Sequence, residues 1–337
     1  MYPLDQGMWG PTVRIGHLRD ELSRLVDLDV VSGYRGKRRV ALARYALSGR
    51  LRGLDGIYVE SSTFLPAEAD VAFLGLARAL GVGVLTYIRD AYQLFADYGA
   101  PATLRQRAGR AAFGPMIQAL RAVSSRLAFP TRGLAEAVLG EDADALLLPP
   151  GAPAPVEVPR QAHANRLLFV GDARLPAHGA DRLISAIDRA RSDGANVELE
   201  VVSRPGQEPP APHPEWLHVR RAQGEEIHAL LPDVLATVIP RPRGAYNDLA
   251  LPIKLFDYLS YGRPLLVTDC VEQARVVREA DAGIVSTDDP AALAAAIGRL
   301  ASAPAEQLET WSRNAHSTAH EASWASRAEI IREALGT

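Results

Sequence analysis

The sequence predicts an α/β fold made of two Rossmann-like, doubly wound domains. Three observations carry that expectation. Short β-branched runs alternate with amphipathic helical segments along most of the chain, the pattern of parallel sheets covered by helices on both faces. The 337 residues suffice for two cores of ordinary size. Between the halves lies PPGAPAPVEVPRQAHAN, residues 149–165, dense in proline and poor in bulky apolar side chains, which is linker chemistry. The expected domains are 1–150 and 151–320, with a closing helix over 321–337.

Hydrophobic residues make up 47% of the chain, charged residues 23%, and the net charge is −3. These are the proportions of a soluble globular protein, and the charge argues against a nucleic-acid binder. The single cysteine, Cys270, excludes an internal disulfide framework and fits a reducing compartment. No apolar run reaches transmembrane length and the amino terminus lacks signal-peptide character, so the expected location is cytoplasmic.

Taken in order, Gly7, Gly10 and Pro11 precede a helical pattern from Thr12 to Leu25. A glycine turn at a helix start lets a phosphate approach the backbone, which makes Gly10 a candidate donor contact, although an ordinary loop explains it equally simply. Expected elements then follow: a strand at Leu28 to Ser32, a basic helix at Lys37 to Ser48, a strand at Gly56 to Glu60, a helix at Ala67 to Leu80 and a strand at Val84 to Ile88. Loops beyond the carboxyl ends of such strands carry function, which singles out Glu60-Ser61-Ser62 and Arg89-Asp90. A mutual salt bridge is the alternative for the second pair. The helix Leu104 to Val123 carries Arg105, Arg107, Arg110 and Arg121, read as a solvated face in preference to a weak peripheral membrane contact. Strands at Arg126 to Phe129 and Ala145 to Leu148, and a Thr131-capped helix, complete this half.

The second half opens with a strand at Leu167 to Val170, a glycine-containing loop over 171–179 and a helix from about Ala180. Strands follow at Val197 to Val202, Trp216 to Val219 and Leu235 to Ile239, with a short helix at Glu225 to Leu230. The last of these strands delivers Arg241 and Arg243 to the carboxyl edge of the sheet. In AYNDLALPIKLFDYLSYGRPLLVTDC, residues 245–270, the positions Pro252, Leu255, Phe256 and Leu259 share one helix face, while Lys254, Asp257, Tyr258 and Tyr261 form a polar stripe. Pro252 suits the first helical position and Gly262 the residue just past the end. Lys254 sits at the positive end of the helix dipole, which costs roughly 0.3–1 kcal/mol unless an anion is received there. An exposed ion pair with Asp257 is the plainer alternative. Beyond come a helix at Val271 to Ala280, a strand at Gly283 to Val285, a helix from Pro290 to Ala301 and two helices between Glu306 and Leu335.

The run PIKLFDYLSYGRPLLVT resembles the P-x-K-[LF]-[FL]-E-Y signature of retaining GT-B glycosyltransferases of family 4, with Asp257 where that family usually has Glu. The resemblance implies two domains facing an interdomain cleft, and transfer of a sugar from a nucleotide-diphosphate donor to a glycan, lipid-linked or small-molecule acceptor, with retention of configuration. It implies Asp257 at the donor ribose and Lys254 at the diphosphate. By the same resemblance Gly171, Arg174, His178 and Gly179 form the second phosphate loop, His178 standing where Lys is usual, and Asp248 contacts the donor sugar, against a reading as a helix cap. Arg89 and Asp90 stand nearest to the family's sugar-contacting histidine, which is absent. The resemblance also implies that the final helix, from Trp324, returns to the amino-terminal domain, and that a buried first strand precedes Gly7, where no apolar run stands. No cofactor and no metal are expected. The alternatives from other classes are a catalytically silent GT-B domain that binds a nucleotide sugar or a partner, and a sugar-nucleotide epimerase.

Overall fold

The computed structural model describes residues 10–61, 68–95, 104–141 and 144–336. Gly7 and Ser62 lie outside them, as does the Arg105 side chain. Chain contacts divide the protein into two compact units, Met1–Gly151 with Trp324–Thr337, and Ala152–Ser323.

The first unit contains α1 (Gly10–Leu25), α2 (Arg35–Leu47), β1 (Gly56–Glu60), α3 (Glu68–Ala79), β2 (Gly83–Tyr87), α4 (Leu104–Val123), β3 (Arg126–Phe129), α5 (Arg132–Leu139) and β4 (Ala145–Leu147). Its sheet has the order β1-β2-β3-β4, all parallel. Helix α4 buries Phe113, Ile117 and Leu120, spaced to share one face. Helix α5 is capped by Thr131, whose Oγ1 accepts the Leu134 N–H at 3.2 Å. One expected strand does not form: residues 28–32 lie in neither helix nor ladder. A β-branched run becomes a strand only beside a partner, and among the described residues none pairs with 28–32.

The second unit contains β5 (Arg166–Val170), α6 (Ala180–Ser192), β6 (Glu198–Val202), β7 (Leu217–Arg220), α7 (Glu225–His228), β8 (Val234–Ile239), α8 (Ala245–Leu249), α9 (Ile253–Ser260), β9 (Leu265–Thr268), α10 (Val271–Ala280), β10 (Gly283–Ser286), α11 (Pro290–Ala301) and α12 (Ala305–Glu321). Its six parallel strands take the order β10-β9-β8-β5-β6-β7. Strands β8 and β9 are buried throughout, as continuous apolar runs in a two-faced sheet must be. Asp289 caps α11 by accepting the N–H groups of Ala291 and Ala292 at 3.0 and 2.9 Å, ahead of Pro290.

The chain then leaves this unit and α13 (Trp324–Leu335) joins the first. Trp324, Ala328 and Ile331, at i, i+4 and i+7, are buried with Leu18 and Leu22 of α1 and Leu85 and Tyr87 of β2. The fit is close at the entry point, where a Cβ on Gly151 would lie 2.5 Å from the Trp324 indole.

Candidate functional site

In the second unit the chain winds outward from β5 in one direction and from β8 in the other, so the switch point lies between these two strands. Open α/β sheets bind ligands beyond the carboxyl ends of the strands at that point. The two loops that leave there are 171–179, after β5, and 240–250, after β8.

Lys254 extends from α9 to the end of β5, where its Nζ donates to Val170 O at 3.2 Å and stands 4.7 Å from the centre of the Phe169 ring. Tyr258, one turn along, accepts the Val170 N–H at 2.7 Å. The two side chains therefore hold the N–H and the C=O of Val170, the last residue of the strand. Tyr258 and Tyr261 are 1% and 8% exposed and belong to the core, so the expected polar stripe is a solvent-facing stripe no longer; only Lys254 and Asp257 keep partial exposure. Pro252 is the N-cap of α9 and not its first helical residue. Gly262 takes the left-handed conformation just past the helix end, at φ +58°, where a Cβ would collide with His316.

No ion pair joins Lys254 to Asp257 or to any other acid among the described residues. Burial, with the Arg241 charge nearby, pushes the Lys254 ammonium down to about 7. Burial pushes the Asp257 carboxyl up to about 7. Each is an ionisable group largely withdrawn from water, with no ion pair among the described residues to compensate it.

His178 donates from Nδ1 to the Asp172 carbonyl at 2.9 Å, which leaves Nε2 bare in the neutral ring. Burial, then the Lys254 charge, lowers its pKa to about 4. The one N–H of the neutral His178 ring is thus already spent on the backbone. Gly171 and Gly179 are sterically required. A Cβ on Gly171 would lie 3.2 Å from Lys254 Nζ, and one on Gly179, at φ +73°, would lie 1.8 Å from Pro240 O.

Arg241 was named in the sequence as a loop cation and given no role. It is 6% exposed, donates to Ala250 O at 3.2 Å and to Asn247 Oδ1, and acts electrostatically on both Lys254 and His178. Asn247 in turn donates to Pro242 O at 2.8 Å and Ala177 O at 3.4 Å, tying the two loops together. The available signal was position: Arg241 follows a fully buried strand at the switch point.

Other candidates are placed differently. Arg174 is exposed and donates from Nε to Glu208 O at 3.0 Å. Asp248 receives both Nε and Nη2 of Arg243, at 2.7 and 3.0 Å, and does not cap α8, whose N-cap is Gly244. In the first unit, Gly10 starts α1, and Arg89 donates from Nε to Asp90 at 2.5 Å in the loop after β2, a mutual salt bridge between neighbours. Glu60 is held by Arg14 Nε at 2.9 Å and by the Tyr58 hydroxyl at 2.6 Å. No group of three or more metal-ligating side chains occurs among the described residues, and no described helix is long and apolar enough to cross a membrane.

The fold, two units each built on a parallel sheet with helices, is that of GT-B glycosyltransferase structures. Residues 164–303, most of the second unit, match the family described as Glycosyl transferases group 1. Solved structures with the same fold include an α,α-trehalose-phosphate synthase (UDP-forming) from Burkholderia xenovorans in complex with glucose-6-phosphate, 13% identical over 95% of this chain and 80% of that one, with a TM-score of 0.60. A sucrose-phosphate synthase from Thermosynechococcus elongatus is also 13% identical, over 96% of this chain and 92% of that one, with a TM-score of 0.60. No curated protein shows a significant match.

Proposed function

We propose that this protein is a glycosyltransferase that transfers a sugar from a nucleotide-diphosphate donor to an acceptor with retention of configuration. The observation that carries the reading is a set of nitrogen groups held by neutral acceptors only. Lys254 is held by Val170 O and Arg241 by Asn247 and Ala250 O, while His178, its Nδ1–H on Asp172 O, meets a phosphate only by taking up a proton at Nε2. Basic groups gathered beside one another and answered by no acid are stabilised by an incoming anion, here the donor diphosphate. Asp257, one helical turn from Lys254 and without a hydrogen-bond donor among the described residues, accepts the ribose hydroxyls.

In this mechanism the protein binds and orients the donor, and the cations stabilise the charge that builds on the departing nucleoside diphosphate. The leaving phosphate helps deprotonate the acceptor on the same face, so no protein nucleophile is required. Asp248 reaches the donor sugar only after releasing Arg243. Arg174 contributes to the diphosphate only by leaving Glu208 O. The reading invokes no metal and no further cofactor, so EDTA leaves turnover unchanged. The acceptor is a glycan, a lipid-linked sugar or a small molecule, and the protein works in the cytoplasm.

The ion pairs Arg243–Asp248 and Arg89–Asp90 favour one second reading, a domain that binds nucleotide sugars without turnover. Thermal shift with UDP, GDP and their common sugars, followed by donor hydrolysis, separates the two. Stabilisation with slow hydrolysis supports the enzyme, and stabilisation without hydrolysis supports the binding module. Stabilisation by no nucleotide overturns both.

A further inference from the structure

The chain has 37 lysines and arginines together, and only two of them are lysines, Lys37 and Lys254. An arginine keeps its proton, whereas a lysine whose surroundings oppose its charge sheds it and becomes a nucleophile. The two lysines differ in this respect. Lys37 is exposed on α2, where water solvates its ammonium. Lys254 is half-buried among groups that oppose its charge.

Three features set Lys254 apart. First, its Nζ is held by one neutral oxygen, Val170 O at 3.2 Å, and no carboxylate pairs with it among the described residues. A single N–H of the neutral amine suffices for that bond, which leaves the lone pair free. Second, its charged neighbour is a cation. Arg241 spends its Nη1 and Nη2 groups on Ala250 O and Asn247 Oδ1, so no acid among these contacts offsets the charge it imposes on Lys254. Burial and that charge push the ammonium down to about 7, so the amine is mostly unprotonated in mildly alkaline solution. The other titratable groups at the site are His178, which donates to Asp172 O, and Asp257, whose carboxyl burial pushes up to about 7; neither forms an ion pair with Lys254. Third, the amine can be reached. A Cβ on Gly171 would lie 3.2 Å from Nζ, and the glycine leaves that side of the amine uncovered.

We propose that Lys254 captures phosphorylated aldehydes as a reversible imine. The Nζ lone pair attacks the carbonyl carbon, the C=O bond gives way to a C=N bond, and the oxygen leaves as water with both amine protons. No oxidant or reductant takes part, and hydrolysis reverses the step. The phosphate selects the ligand, because an anion answers the charge of Arg241, which is held by neutral acceptors only. The inference rests on the anion-receiving site of the proposed function and adds a regulation to it. The imine stands where the diphosphate is received, so a phosphorylated aldehyde and the donor exclude each other.

Trapping with cyanoborohydride tests it. The full chain is incubated with glyceraldehyde 3-phosphate at about pH 7.5, where the two amines differ most in protonation, then reduced, digested and mapped by mass spectrometry, with Lys37 as the internal reference. Lys254 gains the reduced adduct about tenfold or more faster than Lys37, and about tenfold faster than it does with unphosphorylated glyceraldehyde. The rate at Lys254 levels off above about pH 8, while that at Lys37 goes on rising toward about pH 10. Equal labelling of the two lysines overturns the proposal, as does labelling of Lys254 that is indifferent to the phosphate or that climbs with pH as that of Lys37 does. UDP and GDP separate this inference from the donor reading. Selective labelling that either nucleotide suppresses supports both, and selective labelling that neither suppresses supports capture while counting against a donor diphosphate at this site.

Discussion

Lys254 is a cation placed where both the helix dipole and burial oppose its charge, and its nearest cationic neighbour, Arg241, adds to the cost. Replacing it with methionine removes that cost, so Lys254→Met raises Tm of the ligand-free protein while weakening nucleoside-diphosphate binding about 10–100-fold, read by calorimetry. Binding also depends on pH. Above about 7 the free Lys254 amine is neutral and must take up a proton to meet a diphosphate, so affinity falls between pH 7 and 9, and Lys254→Met abolishes that slope. Asp257 has the opposite linkage. Its folded pKa, about 7, lies above its unfolded value, so the native state holds the extra proton between roughly pH 4 and 7 and stability is lost as pH rises through that window. Asp257→Asn therefore raises Tm at pH 8 and leaves it little changed at pH 4, a difference that thermal unfolding at the two values detects. Lys254 and Asp257 could be singled out from the sequence because the motif is local; the roles proposed for them await the binding measurements above. The contacts of Asn247 with Ala177 and of Tyr258 with Val170 could not be, because they join segments 70 and 88 residues apart.

At the scale of elements, the turn into α6 is fixed by Gly179. A side chain there meets Pro240 O of the neighbouring loop, whereas Gly194, also at positive φ, has open space around it. Gly179→Ala is expected to cost about 2–4 kcal/mol in urea unfolding of the second unit, and Gly194→Ala only about 1–2 kcal/mol of backbone strain. Strand and helix positions followed the sequence closely where apolar periodicity was strong, as in β8 and α9. Residues 28–32 form no strand for a reason periodicity cannot express, since a strand needs a ladder partner and none of the described residues pairs with this run.

At the scale of the whole molecule, the chain enters the second unit at Ala152 and leaves it at Ser323, and these two residues bridge each other, with Ala152 N–H bonded to Ala322 O at 2.8 Å. The ends of the inserted unit are closed by its own backbone. Residues 152–323 alone are therefore expected to unfold cooperatively, measured by circular dichroism. Ending the chain at Ser323 removes Trp324, Ala328 and Ile331 from the core of the first unit and costs it several kcal/mol, at about 1.5–3 kcal/mol per large side chain, while the transition of the second unit is unchanged.

The sequence by itself determined the alternation of strands and helices, the proline-rich junction and the helix that carries Lys254 and Asp257, because each of these is written in spacing over a few residues. Tertiary structure alone decided which cations stand together without an acid among the described residues, and which arginines are already answered by carboxylates. Those outcomes depend on distances between segments remote in the chain, and on burial, which turns an ordinary lysine and an ordinary aspartate into groups that titrate near neutrality.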